Sequence, residues 1–272
     1  MLGLESVNRE LCDNEKRDVA LRKRLRAVFA DALQALPSSL RHSQLLYDRR
    51  PPLDHSFQTP SILDEMDGDN NDRVSIALHK LSQRLTTFYL VDTVVGPEIL
   101  WPLERTAPEK KDPLWPRMRR YSINPGPIAP SGKWLFERDP DASDYESDSS
   151  DSEVSSGVAP GDEREDHFRE KLDADAANAL LLAAARAARR MPALWKMDIV
   201  LNPPIGGSQL VVGYTAMANA ARGGTPLAEL VVESHPVFHP DEEVVQAWRE
   251  AAGEHTGAES GLALVVRDSM MW

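Results

Sequence analysis

Apolar residues recur at helical spacing in four stretches of the chain. In RDVALRKRLRAVFADALQALP (17–37) the residues Leu21, Leu25, Val28, Phe29, Ala32, Leu33 and Leu36 trace one stripe, and Pro37 ends it. DRVSIALHKLSQR (72–84) sets Val74, Ala77, Leu78 and Leu81 on one side, with Asn71 or Asp72 as the cap. DADAANALLLAAARAARR (173–190) carries Asp173 and Asp175 at its start and Arg186, Arg189 and Arg190 at its end, matching the helix dipole. Its alanines allow close packing. DEEVVQAWREAAG (241–253) follows Pro240, buries Val244, Trp248 and Ala251, and stops at Gly253.

Between these helices lies a second pattern, apolar-x-x-apolar-x-apolar. It appears as LTTFYL from Leu85, MRRYSI from Met118, LWKMDI from Leu194 and LAELVV from Leu227, with LRHSQL from Leu40 as a weaker match because Ser43 holds its middle position. Each predicts a short strand with alternate residues pointing inward. Helix-then-strand units repeated this way predict mostly parallel strands with crossover helices. The starts are separated by 45, 33, 76 and 33 residues, so the repeat is leucine-rich in form without a strict period. The expected fold class is therefore α/β, an irregular leucine-rich-repeat-like sheet of mostly parallel strands with packed helices. An ordinary open α/β sheet is the alternative. SQLVVGYTAM and LAELVVESHPVF, joined by ANAARGGTP, also fit an antiparallel hairpin, and GLALVVRD reads as a last strand.

Charge changes the picture in one place. The chain has 272 residues and a net charge of -12, but Asp139 to Asp166 alone holds eleven acids and one base, Arg164. That run contributes -10 and leaves about -2 for everything else. A nearly neutral remainder argues against nucleic acid as a partner, since that needs a broad basic face. The run is poor in apolar residues and is expected to be a disordered insert, residues 139–167. It divides a single α/β domain, 16–138 and 168–272, that follows an N-terminal tail, 1–15. Ser143 and Ser150 each precede an acid by three residues, Glu146 and Glu153, a pattern an acid-preferring kinase would read; an unmodified solubilising loop is the other reading.

The opening MLGLESVNRE has neither a basic region nor an apolar core of a leader, and no stretch is apolar for long enough to cross a bilayer. A soluble protein of the cytoplasm or nucleus, without membrane partners, is expected. The single cysteine, Cys12, excludes an intrachain disulfide.

Candidate chemistry is sparse. GPIAPSGKW (126–134) resembles a phosphate loop only loosely: Trp134 stands where Ser or Thr should bind magnesium, and Pro127 and Pro130 lack backbone N–H groups. A structural turn is the better reading. DGDNND (67–72) offers oxygen ligands, but Asp72 occupies the glycine position of a calcium loop and Leu78 that of its bidentate Glu. HPVFHP sets His235 and His239 four apart, yet Pro236 and Pro240 oppose the helix that would align them. RKRLR (22–26) reads either as an import signal or as the wet face of the first helix, with the apolar stripe favouring the latter. The common hydrolase, zincin and dinucleotide motifs do not occur. No cofactor and no metal are expected.

HKLSQRLTTFYLVDTVVGPEILWP, WPRMRRYSINPGPIAPSGKWLFERDP, LLLAAARAARRMPALWKMDIVL and DEEVVQAWREAAGEHTG, with the acidic spacer among them, together resemble the C-terminal region of a large group of fungal F-box domain-containing proteins. The likeness runs from about Leu40 to about Arg267, and the blocks PSGKWLFERDP and AAARAARRMP are specific to it. In that group the region is of uncharacterised function and is taken to recognise partners, while an N-terminal F-box binds the Skp-type adaptor of a cullin-RING ubiquitin ligase. An F-box opens with Leu-Pro, an acid and a leucine-rich three-helix sequence. Here MLGLESVNRELCDNEKRDVALRKRLRAVFADALQALP reads as one amphipathic helix, with no recognisable F-box.

The expectation is a non-catalytic protein-recognition module, of the kind that forms the substrate-binding part of a ubiquitin-ligase receptor. Its partner-binding residues would be those pointing outward from the strands: Arg119, Arg120, Ser122, Trp195, Lys196 and Asp198, a mixed aromatic and charged set. The alternatives are an adaptor-independent scaffold whose acidic insert binds basic partners, and an enzyme without a recognisable motif. A Skp-type adaptor would need the F-box these residues do not spell.

Overall fold

The structure, a computed structural model, describes residues 19–46, 51–63, 71–100, 114–138, 161, 168–204, 209–217, 227–257 and 261–269. In chain order these form α1 (Val19–Gln34), β1 (His42–Leu46), α2 (Arg73–Ser82), β2 (Thr87–Thr93), a 3-10 turn (Pro97–Ile99), β3 (Arg120–Pro125), β4 (Phe136–Arg138) and β5 (Arg169–Leu172). There follow α3 (Ala174–Ala188), β6 (Lys196–Leu201), β7 (Leu210–Met217), β8 (Leu227–Ser234), α4 (Glu242–Thr256) and β9 (Leu262–Asp268).

The chain is a mixed α/β protein. Seven strands make one sheet in the order β1-β2-β3-β6-β7-β8-β9, and β4 with β5 make a small second one. β1, β2, β3 and β6 run parallel, β7 is antiparallel to both its neighbours, and β9 returns parallel to β8. The β7–β8 hairpin read from the sequence therefore lies within the sheet, and β9 forms the edge beyond it.

The repeated pattern explains the register. Its middle apolar position places Ser43, Phe88, Tyr121 and Met197 side by side, and its last places Leu45, Leu90, Ile123 and Ile199 side by side. One residue before each strand, a carbonyl bridges two N–H groups of the next rung. Arg41 O takes Thr86 N and Thr87 N, Thr86 O takes Arg119 N and Arg120 N, and Arg119 O takes Trp195 N and Lys196 N, all at 2.7–3.2 Å. The first apolar positions, Leu85, Met118 and Leu194, precede their strands and are buried. Leu227 departs from this frame: it lies within β8 and is exposed, while Ala228, Leu230 and Val232 supply the inward face.

That inward face and the helices close one apolar core, with Trp115, Trp248, Phe88 and Tyr121 among its fully buried side chains. Asp72 caps α2 by accepting from Ser75 N, and Asp173 caps α3 by accepting from Ala176 N, each satisfying an N–H that the helix cannot. α4 runs past Gly253 to Thr256, and Gly257 ends it in the left-handed region at φ 70°. The helix needs such a residue after its last turn, and Gly253 one turn earlier is held inside it by the packing of Ala251 and Ala252.

α1 differs from its predicted stripe. Leu25 and Val28 are 37% and 59% exposed, whereas Arg22 is 5% exposed and buried beside Ala30 and Leu33. Arg26 turns inward as well, its guanidinium donating to both Asp72 carboxylate oxygens at 3.2 and 2.6 Å and to Val94 O at 2.9 Å. The basic run is thus not simply a wet face. The half-buried Arg26–Asp72 pair and the buried Arg22 thus share the inward face of α1 with Ala30 and Leu33.

The described residues on either side of the acidic run form a built base. β4 and β5, which the apolar pattern did not predict, flank it and pair antiparallel, with Phe136 opposite Leu172 and Arg138 opposite Arg169. His55, fully buried, accepts at Nδ1 from Phe168 N and Arg169 N, both at 2.9 Å, and its ring meets Trp134 and Phe168 at 5.2 and 5.7 Å. Within the run, Gly161 at φ 84° accepts from Asp54 N at 2.7 Å, and an added Cβ there would press on Pro52 and Phe57. The rest of the insert, with Ser143 and Ser150, and the tail 1–15 lie outside the described residues.

Candidate protein-recognition face

Every strand of the large sheet gives its alternate side chains to a second face, and no described element covers it. The residues there are half-buried or exposed along β1, β2, β3, β6 and β8. Because β3 and β6 are in register, Arg120 lies beside Lys196 and Ser122 beside Asp198. The bifurcated carbonyl of Arg119 brings Trp195 against the start of β3. Four of the six sequence-predicted residues therefore share two adjacent rungs, Trp195 joins them beside Arg120, and Arg119 stands one residue before β3, tied to them through its backbone carbonyl.

Their contacts are mutual. The Arg120 guanidinium carbon sits 4.6 Å from the Trp195 ring centroid, and the indole is still 43% exposed. A cation over an indole face is held by the ring's quadrupole, by roughly 0.5–1 kcal/mol at such a site. Lys196 Nζ lies 3.2 Å from Asp198 Oδ2, with both side chains about one-third exposed, so solvent screens the pair. Arg119 is exposed, and among the described residues neither it nor Arg120 meets a carboxylate. Tyr89 on β2, in register with Ser122, and Thr215 on β7, opposite Lys196, extend the face. Both stand at the outward alternate positions of their strands, as Arg120, Ser122, Lys196 and Asp198 do.

Elsewhere the polar groups serve the fold. Lys133 of the loose phosphate-loop match places Nζ 2.9 Å from Asp173 Oδ2, and the turn around it closes through Ala129 N to Lys133 O and the Ile128–Trp134 bridge. Burial pushes the Asp173 carboxyl up, but the Ala176 N–H and Lys133 outweigh it and hold the carboxyl below its usual range. Hydrogen bonding and charge from Asp173 raise the Lys133 ammonium. His235 Nδ1 pairs with Asp268 at 2.8 Å, and no group of three or more His, Cys, Asp or Glu among the described residues is arranged to hold a metal.

A buried phenol meets a half-buried imidazole. Tyr214 OH lies 2.6 Å from His255 Nδ1, while His255 Nε2 reaches Ala188 O and Met191 O at 3.1 Å. Two carbonyls at Nε2 require its proton there, so Nδ1 accepts from the phenol. Burial lowers the His255 pKa and raises that of Tyr214. Glu98, 5% exposed, is pushed up by burial and, less, by Asp72, against the opposing effect of its own backbone N–H. At the carboxyl ends of β2 and β3, where open α/β sheets place ligands, a cleft lined by Arg22, Pro52, Ile62, Val94 and Gly126 has about 20 Å³ of room. That is space for a water molecule or so.

Residues 165–270 match a family of unknown function, DUF6546. The matched span holds β5, α3, β6 to β9 and α4, and with them Trp195, Lys196 and Asp198, whereas Arg119, Arg120 and Ser122 precede it. No curated protein and no solved structure matches the chain.

Proposed function

We propose that the chain is a non-catalytic protein-recognition module that binds a protein or peptide on the uncovered face of its seven-stranded sheet. The observation that carries this reading is the Arg120–Trp195 pair, a half-buried guanidinium over an exposed indole at the end of the sheet where β3 and β6 begin. Tryptophan and arginine are the side chains most often dominant in binding energy, because they present large contact area with directed polarity. Arg119, Ser122, Lys196 and Asp198 surround the pair as hydrogen-bonding neighbours. The likeness to the substrate-binding part of fungal F-box proteins supports the same reading and suggests a ubiquitin-ligase setting.

The test is Arg120→Ala combined with Trp195→Ala in the full chain. Co-purification from the native cell identifies a partner, and the purified pair is then measured directly. Capture is expected to fall at least tenfold, as for loss of a binding hot spot of about 2 kcal/mol, with the thermal transition nearly unchanged. Unaltered capture removes the face from the reading. The same purification scores the Skp-type adaptor.

A second reading, an adaptor-independent scaffold, draws on the concentration of eleven acids between Asp139 and Asp166 at a base fixed by β4 and β5. It predicts that excising that run abolishes binding of basic proteins and that salt weakens it. The face variant would leave such binding intact.

A further inference from the structure

The face carries a local imbalance of charge. Arg117, Arg119 and Arg120 fall within four positions at the entry to β3, and Lys196 stands on the adjoining rung. Asp198 is engaged by Lys196, and the next acid along that row, Glu229, lies two strands further on, beyond Thr215. The chain has 43 acids to 31 basic residues, yet among the described residues Arg119 and Arg120 meet no carboxylate. Neighbouring like charges repel, and departures from local compensation of this kind concentrate at functional positions.

We infer that this rim binds a partner peptide rich in carboxylates, with an apolar or aromatic residue beside them. The inference rests on the recognition face proposed above and specifies what the face recognises. Guanidinium groups accept carboxylates in a planar, two-bonded geometry. Register spaces Arg120 and Lys196 by about 4.8 Å across the strands, within side-chain reach of carboxylates about 7 Å apart on an extended peptide. Trp195, 43% exposed, is available to the apolar residue. Nucleic acid fits less well, because the cations form a short rim on a chain whose net charge is -12.

The experiment uses fluorescence anisotropy on the full chain with a labelled glutamate-rich peptide containing one phenylalanine. A lysine-rich counterpart and a short single-stranded oligonucleotide are the comparison probes. The glutamate probe is expected to bind, more weakly at about 0.15 M than at 0.05 M salt, and the lysine probe not to bind. Arg119→Gln with Arg120→Gln is expected to weaken it roughly tenfold or more, and Arg119→Gln alone, at an exposed position, by a smaller factor. Tighter binding of the oligonucleotide overturns the assignment, as does binding by the variant equal to that of the unaltered chain. Binding that appears only after 139–166 is excised makes the chain's own acidic run the occupant and also overturns it. If the glutamate probe fails while Arg120→Ala/Trp195→Ala still releases a captured partner, the acidic partner falls and the recognition face stands. If that variant releases nothing, both fall.

Discussion

Replacing Asp72 separates two forces that hold α1 and α2 on the sheet. Its carboxylate, 2% exposed, accepts from Ser75 N at 2.8 Å and Ser75 Oγ at 2.5 Å as the cap of α2. It also accepts from the Arg26 guanidinium of α1, and that guanidinium holds Val94 O beyond β2. Asp72→Ala deletes the cap, at about 1 kcal/mol, and strips a mostly buried cation of its counter-charge. Breaking a buried pair costs about 3–5 kcal/mol. The Arg26 side chain retains 17% exposure, which places this loss at the low end. Together the effect is about 4 kcal/mol, a large part of the 5–15 kcal/mol by which a domain of ordinary stability is folded.

Asp72→Asn keeps a capping oxygen and removes the charge, so it isolates the pair at about 3 kcal/mol. Arg26→Met leaves Asp72 its two Ser75 donors and costs less, about 2 kcal/mol. The double variant, Asp72→Asn with Arg26→Met, leaves no unmatched charge and is expected to be about 2 kcal/mol more stable than the sum of its singles predicts. Urea titration of the four proteins, with equal slopes, gives the coupling. Additivity within about 0.5 kcal/mol would mean that Arg26 is solvated, and that the apolar residues of α1 set its rotation after all.

Two further outcomes follow from local geometry. Gly132 sits at φ 84° with Thr59 O where a Cβ would be, so Gly132→Ala is expected to lower the thermal midpoint sharply and to cost about 2 kcal/mol or more; an unchanged midpoint refutes the close approach. Burial holds the folded His255 pKa below its ordinary value, so as pH falls below about 6.5 the unfolded chain takes up the proton first and stability declines until the folded imidazole also titrates. His255→Asn should flatten the dependence of the urea midpoint on pH across that window, and an identical slope would count against it.

The parts of the fold readable from sequence are those where one face is dry and the other wet. LTTFYL, MRRYSI and LWKMDI show their alternation because β2, β3 and β6 are central strands packed against helices on one side only. α2, α3 and α4 show theirs for the same reason, and Asp72 and Asp173 announce two helix starts by capping chemistry. α1 misleads because its decisive contact, Arg26 to Asp72, spans 46 residues and has no periodic signature. β4 and β5 are three and four residues long, too short for a period, and are held by His55 from elsewhere in the chain and by the Arg169 guanidinium of β5, which donates to His55 O and Phe136 O.

The recognition face owes its legibility to that same alternation. Residues between the apolar positions of a one-sided strand have nowhere to point but outward, so Arg120, Ser122, Lys196 and Asp198 follow from the pattern that fixes Tyr121, Ile123, Met197 and Ile199 inside. The stacking of Arg120 on Trp195 needs one more fact, the register of β3 against β6, which the sequence leaves open because 76 residues separate the two patterns. Register is set by the inward set: sliding β6 by a single residue would turn Met197 and Ile199 to water and bring Lys196 and Asp198 into the core. The cost of burying those charges therefore fixes the place of the aromatic ring under the guanidinium, and a charge-neutral core mutation that loosens Met197 should disturb the face before any residue on it is touched.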